Sequence, residues 1–520
     1  MVKENSSNSE LDQHIKDSGN IRIAIYFLVI GCVALILRLY ITPFNLPLTL
    51  DALEYFWYAN DISILNHFPN WTMDHNGWPA FLSIFFSVFH SHNFIDYMNI
   101  QRVVAISISI LTIIPIYLLC KRFLGRSYAL LGAALFAFEP RIIQNSVLGI
   151  TDPLYIFLVT FSIVMFLSKD NRIVFGSFAV TALATLVRTE GLALFLVLSI
   201  MFFVREKKER KIIVKYALAA TIFILVLLPM VEIRLQTSGK DYLTGRITGE
   251  IANISSQSEN NSKSNILGSL IRGLENPVKF LGWAMIPIWI FFVPVGAYLI
   301  FKNRNHDTLT IIAGIIIMGI LAFYALSKFS DTRYFFPLYP LFCVLAILAA
   351  RSYLGKFKNP KLFLVLLTGG ILITSIAFMN FKGTDISHEK EALSLAYYVD
   401  NMTSGINPYM PESKYLPIPD ISKQKFPMLR SMASTGPKII FTDGFRSIND
   451  YIMKGKDQGL TNLVIDGSNK NAEFLNDVFF NDEKYPYLEK IFDSSEHGYK
   501  YHLKIYKINY SRFESLNKTS

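Results

Sequence analysis

The chain has 520 residues, 52% of them hydrophobic and only 17% charged, which is more apolar surface than one soluble core can bury and excludes an ordinary soluble domain. The formal net charge of +10 does not signal a nucleic-acid partner, because the basic residues fall in short clusters between apolar runs, where they set membrane topology. Cys32, Cys120 and Cys343 lie inside or at the edge of such runs, with no disulfide framework and no metal-type spacing.

Residues 1–20 are polar and precede an apolar stretch with no small-residue cleavage site after it. They are expected to be a cytoplasmic tail, with the first apolar helix retained as an anchor. A crossing needs ~20 apolar residues, and about eleven runs qualify as candidates, beginning near Ile21, Asp96, Ser127, Pro153, Arg172, Gly191, Ile212, Leu281, Thr308, Tyr334 and Lys361. Several are short for a full crossing. The run from Trp78 to Phe89 is shorter still and reads as interfacial or re-entrant.

Charge alternates between successive loops. Lys121, Arg122 and Arg126, then Lys169 and Arg172, then the cluster from Arg205 to Lys215, then Lys302 and Arg304, then Arg351 to Lys361 mark one side as cytoplasmic. The opposite turns hold only Arg141, Arg188, Lys328 and Arg333. The N-terminus is therefore expected inside, and everything after about Asn380 outside. Two external loops follow from this, 42–78 and 232–280, and a membrane domain over 21–381. The Ser/Asn-rich stretch from Ser255 to Ser264 reads equally as a flap over a site or as a linker.

From 382 to 520 the pattern changes to that of a small extracytoplasmic α/β domain. Glu389–Asp400 reads as a helix, and Lys438–Thr442 and Asn462–Ile465 as short strands before Asp-Gly turns. Leu488–Phe492 and Tyr499–Ile508 flank a turn at Glu496–Gly498 and read as a hairpin.

Candidate chemistry gathers on the expected outer face. Asp51 and Glu54 stand three apart after the first crossing and share a helix face. They read either as paired carboxylates that activate a hydroxyl or hold a cation, or as a capping box in an aromatic belt. Asp152, before Pro153, reads as a helix cap or as a third site carboxylate. Arg188 and Arg333, close to hydrocarbon, read as snorkelling side chains or as phosphate ligands, since a guanidinium matches phosphate geometry. Lys328 and Arg141 are weaker candidates for the same duty. His67, His75, His90 and His92 show no metal-ligand spacing. Asn70, Asn253, Asn260 and Asn401 head Asn-X-Ser/Thr patterns that decide nothing.

Four features together resemble the GT-C class of integral membrane glycosyltransferases, in particular its protein O-mannosyltransferase-like and aminoarabinose-transferase-like members. They are Asp51 with Glu54, Gly149-Ile-Thr-Asp152-Pro, Arg188-Thr-Glu190-Gly, and Arg333-Tyr334 before a late helix. The resemblance implies a polytopic helical fold with an outer C-terminal domain, and transfer of a sugar from a polyprenyl-phosphate donor to a protein, glycan or lipid acceptor. It implies Asp51 as base with Glu54 assisting, and Asp152 orienting the acceptor or, with Asp51, a divalent cation such as Mg or Mn. Arg188 and Arg333 would hold the carrier phosphate. The mannosyltransferases usually carry adjacent Asp-Glu, whereas two residues intervene here. The Trp-Trp-Asp-Tyr-Gly acceptor motif of oligosaccharyltransferases is absent. A site on the outer face also needs a donor that the membrane delivers, because nucleotide sugars are cytoplasmic. The rival readings are a transporter, which the absence of a repeat between the halves disfavours, and a non-catalytic scaffold with an outer binding domain.

Overall fold

The computed structural model describes residues 4–49, 51–66, 68–69, 73, 75–91, 94–207, 209–239, 266–302, 304–328, 331–354, 360–383, 386–387, 389–391, 393–395, 445–457, 459–467 and 472–517. The chain divides into two units. The first comprises Met1–Thr42, Tyr55–His90 and Asp96–Gly383, and the second Pro43–Glu54, Ser91–Ile95 and Thr384–Ser520.

The first unit is helical. In chain order its helices are α1 (Glu4–Ile41), α2 (Asp51–Leu65, whose first residues belong to the second unit), α3 (Gly77–Val88), α4 (Phe94–Leu111), α5 (Ile113–Phe123) and α6 (Arg126–Ala137). Then come α7 (Pro140–Ser146), α8 (Asp152–Phe166), α9 (Asn171–Val187), α10 (Gly191–Arg205) and α11 (Ile212–Ser238). The last are α12 (Ile266–Met285), α13 (Val293–Lys302), α14 (His306–Lys328), α15 (Tyr339–Leu354) and α16 (Pro360–Phe381).

Each of the eleven apolar runs forms helix, and length sorts them. Among the described residues, Ile21–Ile41, Ile95–Phe123, Ile212–Thr237, His306–Leu326, Thr332–Tyr353 and Leu362–Phe381 are long and apolar enough to cross a membrane. Pro277–Met285 with Trp289–Lys302 makes a seventh span as a pair bent by 96°. The other four, α6, α8, α9 and α10, are 12 to 17 residues long, short of the ~20 that a crossing takes. Instead of facing lipid all round, they bury large side chains: Phe136, Phe166, Phe178 and Leu198 are almost wholly inaccessible. The membrane core thus counts six or seven full spans by length, with short helices packed among them. The chain is a multi-pass membrane protein.

Outward faces and inward faces of these helices obey different rules. On α11, Ile213, Val214, Leu218, Ile224 and Leu225 are exposed, as a lipid-facing helix requires. Between α8 and α9, Ser162 lies 2.7 Å from Thr181 Oγ1 and donates to the Ser177 carbonyl at 2.9 Å, the small-polar adhesion that joins membrane helices. Arg38 on α1 is fully buried. It donates to the carbonyls of Ala34 and Ala137, both at 3.0 Å, and to Ser109 at 3.1 Å, tying α1 to α4 and α6.

Described parts of the second unit's C-terminal portion form a three-stranded antiparallel sheet of β1 (Asn462–Asp466), β2 (Leu488–Asp493) and β3 (Leu503–Ile508), in the order β1-β3-β2. Helices α17 (Ile448–Asp457), α18 (Glu473–Phe480) and α19 (Tyr510–Asn517) accompany it. Ile452, Leu463, Val478, Tyr506 and Phe513 share one hydrophobic core. The two runs read as a hairpin do pair, Leu488 with Ile508 and Glu489 with Lys507. β3 starts at Leu503 rather than Tyr499, because Ser494–His497 forms a 3-10 turn and the Ser494 hydroxyl bonds both Tyr501 O and Leu503 N. Residues 389–391 and 393–395 are helical, as expected. The strand expected at Lys438–Thr442 and the stretch Ser255–Ser264 lie outside the described residues.

Candidate active site

The site begins where α8 starts. Thr151, not Asp152, is the residue preceding the helix, and it makes no side-chain cap bond. Asp152 sits in the first turn, where the positive end of the helix favours its charge, and spends both carboxylate oxygens elsewhere. Oδ1 accepts Arg188 Nη1 at 2.6 Å and Oδ2 accepts Asn145 Nδ2 at 3.0 Å. The cap reading of Asp152 gives way to an ion-pair reading.

Arg188 ends α9 in an extended conformation, φ −149° and ψ 130°, which turns its side chain out of the helix and toward α8. Its Nη2 donates to Glu190 Oε1 at 2.8 Å. The guanidinium thus bridges two carboxylates, and lies 5.9 Å from the Tyr155 ring and 5.6 Å from the Tyr334 ring. Its side chain is 12% exposed and that of Asp152 1%, so this pair sits in a low-dielectric setting where charge and geometry count for more than at a surface.

A second arginine reaches the same cavity from another element. Asp331 caps the 3-10 helix Thr332–Leu338 by accepting from Arg333 N at 2.9 Å, and also accepts Arg333 Nε at 2.5 Å. The cavity is small and partly open to solvent. Tyr155, Arg188, Glu190, Arg333 and Tyr334 make its polar side. Met318, Leu321, Ala322, Pro337 and Leu338 are its apolar lining. The lining thus offers guanidinium groups and apolar side chains in one cavity.

The charges are arranged to stay as they are. Burial works to raise the Glu190 carboxyl, but the adjoining Arg188 overrides it by charge and hydrogen bond and holds it at about 2. Burial likewise works to lower Arg188, and Glu190 with Asp152 raises it well above the ordinary value. Both groups remain ionised across the neutral range. Three carboxylates, Asp152, Glu190 and Asp331, thus fix two guanidinium groups in place, a preorganised rather than strongly basic cavity.

What holds the Asp152 turn is a feature the sequence did not reveal. Gly149 adopts φ 74°, a left-handed conformation that suits glycine. Its carbonyl receives two buried donors, Trp78 Nε1 at 3.0 Å and Gln101 Nε2 at 2.7 Å. Next to Trp78, Gly77 lies so close to the end of α9 that a Cβ there would stand 2.6 Å from the Leu186 carbonyl carbon. Asn76 accepts from the buried Arg234 of α11. The start of α3 thereby touches the segment before Asp152 and the segment before Arg188.

The remaining expected residues are not among those that line the cavity. Asp51 and Glu54 both occupy the exposed first turn of α2 in the second unit. Partial burial and then the neighbouring Asp51 raise the Glu54 carboxyl. Lys328 ends α14, and its side chain lies outside the described residues. Arg141 is committed otherwise: it donates to the carbonyls of Trp283 and Ile286 at the bend after α12 and stacks 4.7 Å from the Phe378 ring. Such an arginine is a structural tie, not a phosphate ligand. Among the described residues no three His, Cys, Asp or Glu side chains gather as a metal site. The Asp152 oxygens already engaged by Arg188 and Asn145 do not fit the expected role in holding a cation.

Residues 77–232 match a family model described as dolichyl-phosphate-mannose-protein mannosyltransferase. That stretch contains Asp152, Arg188 and Glu190. The apo structure of ArnT from Cupriavidus metallidurans superposes with a TM-score of 0.54 at 13% identity, over 94% of this chain and 98% of that one. The fold is that of the GT-C membrane glycosyltransferases. The apo oligosaccharyltransferase of Archaeoglobus fulgidus, at a TM-score of 0.51 and 14% identity over 81% of this chain, shares the GT-C fold. The chain spans only 52% to 62% of the length of that archaeal protein in its first two matches. No curated protein sequence matches the chain.

Within this GT-C fold the structure brings together Asp152, Arg188 and Arg333 in one unit, and adds Glu190, Tyr155 and Tyr334. Tyr155 was within reach of the sequence: it stands three residues after Asp152 at helical spacing, so both face the same way. Trp78 and Gln101 carried no such signal, since an aromatic and an amide in apolar helices look like ordinary core.

Proposed function

We propose that the protein is a membrane glycosyltransferase that moves a sugar from a polyprenyl-phosphate-linked donor to a hydroxyl of a protein, glycan or lipid acceptor on the extracytoplasmic face. The observation that carries this reading is one cavity lined both by Arg188 and Arg333 and by Met318, Leu321 and Leu338. A lipid phosphate has that same two-part chemistry. The family model and the GT-C fold support it.

In this mechanism the arginines bind the phosphate and stabilise the charge that builds on it as the sugar leaves. Asp152 and Glu190 keep Arg188 at a fixed position, so little reorganisation accompanies the reaction. A base takes the proton of the acceptor hydroxyl, the role that the family resemblance gives to Asp51 with Glu54 assisting. The hydroxyl oxygen then bonds to the anomeric carbon, the carbon–phosphate oxygen bond breaks with its electron pair staying on the phosphate, and the anomeric centre inverts. The positive-inside pattern supports a cytoplasmic N-terminus and an outer C-terminal domain.

Purified protein in lipid nanodiscs, offered a panel of polyprenyl-phosphate sugars, tests the reading. One donor should be consumed by the wild type, and Asp51→Asn should lower its turnover by at least ~100-fold, at the low end of what a general base contributes. Consumption of no donor, or full activity in Asp51→Asn, would sink it.

A further inference from the structure

Tyr155 has a hydroxyl that the fold leaves without a partner. The side chain is 1% exposed, lines the cavity, and its Oη makes no hydrogen bond among the described residues. A buried hydroxyl normally finds a partner, and one left without it costs stability. Nothing in the packing forces a tyrosine here: the ring's contact with Arg188, 5.9 Å from guanidinium carbon to ring centre, is one phenylalanine would also make. The hydroxyl therefore has a use that the ligand-free protein does not satisfy.

Its surroundings narrow that use. The groups at the polar side are Arg188, Arg333, Tyr334 and Glu190, and Arg188 already holds the Asp152 and Glu190 carboxylates. A ligand in that place meets two guanidinium groups, and the phenol adds a neutral O–H donor beside them. An anion with several acceptor oxygens matches this set, whereas a sugar hydroxyl has no need of two arginines. We infer that the Tyr155 hydroxyl donates a hydrogen bond to a phosphate oxygen of the polyprenyl carrier, making Tyr155 a donor-binding residue alongside Arg188 and Arg333. This rests on the reading of the cavity as the donor phosphate site. It predicts an unusual pairing of effects, because the hydroxyl costs stability without ligand and supplies affinity with it.

Tyr155→Phe separates the two. Binding of undecaprenyl phosphate to the full chain in nanodiscs is measured for wild type and variant, with undecaprenol, inorganic phosphate and phosphatidic acid as the other arms, beside the melting temperature of the ligand-free protein. The expected result is about tenfold weaker binding of undecaprenyl phosphate, in line with loss of a hydrogen bond to a charged group. Undecaprenol should bind equally to both proteins, and the variant should melt a few degrees higher, roughly what removal of an unsatisfied polar group gives. Undecaprenyl phosphate bound equally by wild type and Tyr155→Phe overturns the inference and leaves the donor site standing. So does a variant that melts lower or fails to fold, since the hydroxyl then has a structural partner. A wild type that binds no undecaprenyl phosphate, or binds phosphatidic acid and inorganic phosphate as well as it, overturns the donor site itself.

Discussion

Among the described residues of the first unit, Arg188 and Arg141 each pair with acidic side chains, and they are put to opposite uses. At the start of α8, Arg188 bridges Asp152 and Glu190 and still faces a cavity. At the start of α7, Arg141 lies 3.4 Å from Glu139, but its guanidinium is consumed by two backbone carbonyls at a helix bend. The carboxylates respond accordingly. Glu190, gripped by Arg188, is held at about 2, while burial lifts Glu139 to about 8 against the pull of Arg141. An arginine near hydrocarbon thus stays turned to a cavity only where the backbone around it is already satisfied.

The largest effect expected from this contrast lies in exchanging the arginines. Arg188→Lys keeps the charge but cannot bridge two carboxylates with one planar fork, so sugar transfer should fall roughly 100-fold or more with the fold retained, as read by turnover and by a melting curve. Arg141→Ala should do the reverse. It strips two carbonyls and a buried carboxyl of their partner and should lower stability by about 3 kcal/mol, while the folded fraction binds undecaprenyl phosphate within about twofold of wild type. Equal losses of binding in both variants would erase the distinction.

A smaller effect is expected at the support of the Asp152 turn. Trp78→Phe and Gln101→Leu each remove one of the two donors on the Gly149 carbonyl, and each should weaken undecaprenyl phosphate binding about threefold to tenfold, as loss of one buried hydrogen bond implies. The double variant should be worse than either single one, since the carbonyl then has neither donor. Binding unchanged in the double variant would mean that the turn is held by something else.

The subtlest difference concerns pH. Glu139 goes from an ordinary value of 4.5 to about 8 on folding, so the folded state binds more protons between those values. Its contribution is fully present below about 4.5 and fades as the pH rises through 8. Glu190 has the opposite sign: lowered from 4.5 to about 2, it contributes above 4.5 and its share is lost as the pH falls toward 2. Melting temperatures from pH 5 to 9 should therefore decline less steeply in Glu139→Gln than in wild type. Parallel profiles would contradict the protonated, buried Glu139.

The membrane class and the helical runs were legible in the sequence, and so were Asp152, Arg188 and Arg333 as charges beside hydrocarbon, which the fold brings together. Hydropathy acts over ~20 residues at a time, and charge beside hydrocarbon is costly enough to mark itself. The same local signals could not separate Arg188 from Arg141, because both are single cations in short turns between apolar runs. Nor could they show that α6, α8, α9 and α10 fall short of full spans, since an apolar helix packed among others has the composition of one that faces lipid. Partnership decided those matters. Arg188 meets a carboxylate 36 residues away and Arg141 a carbonyl 145 residues away, and whether a charge is left facing a cavity depends on which backbone groups the fold brings to it. The sequence determined that this protein lives in a membrane and carries charge at the ends of its helices. Only the tertiary structure decided which of those charges are spent on holding the fold and which remain turned toward a cavity.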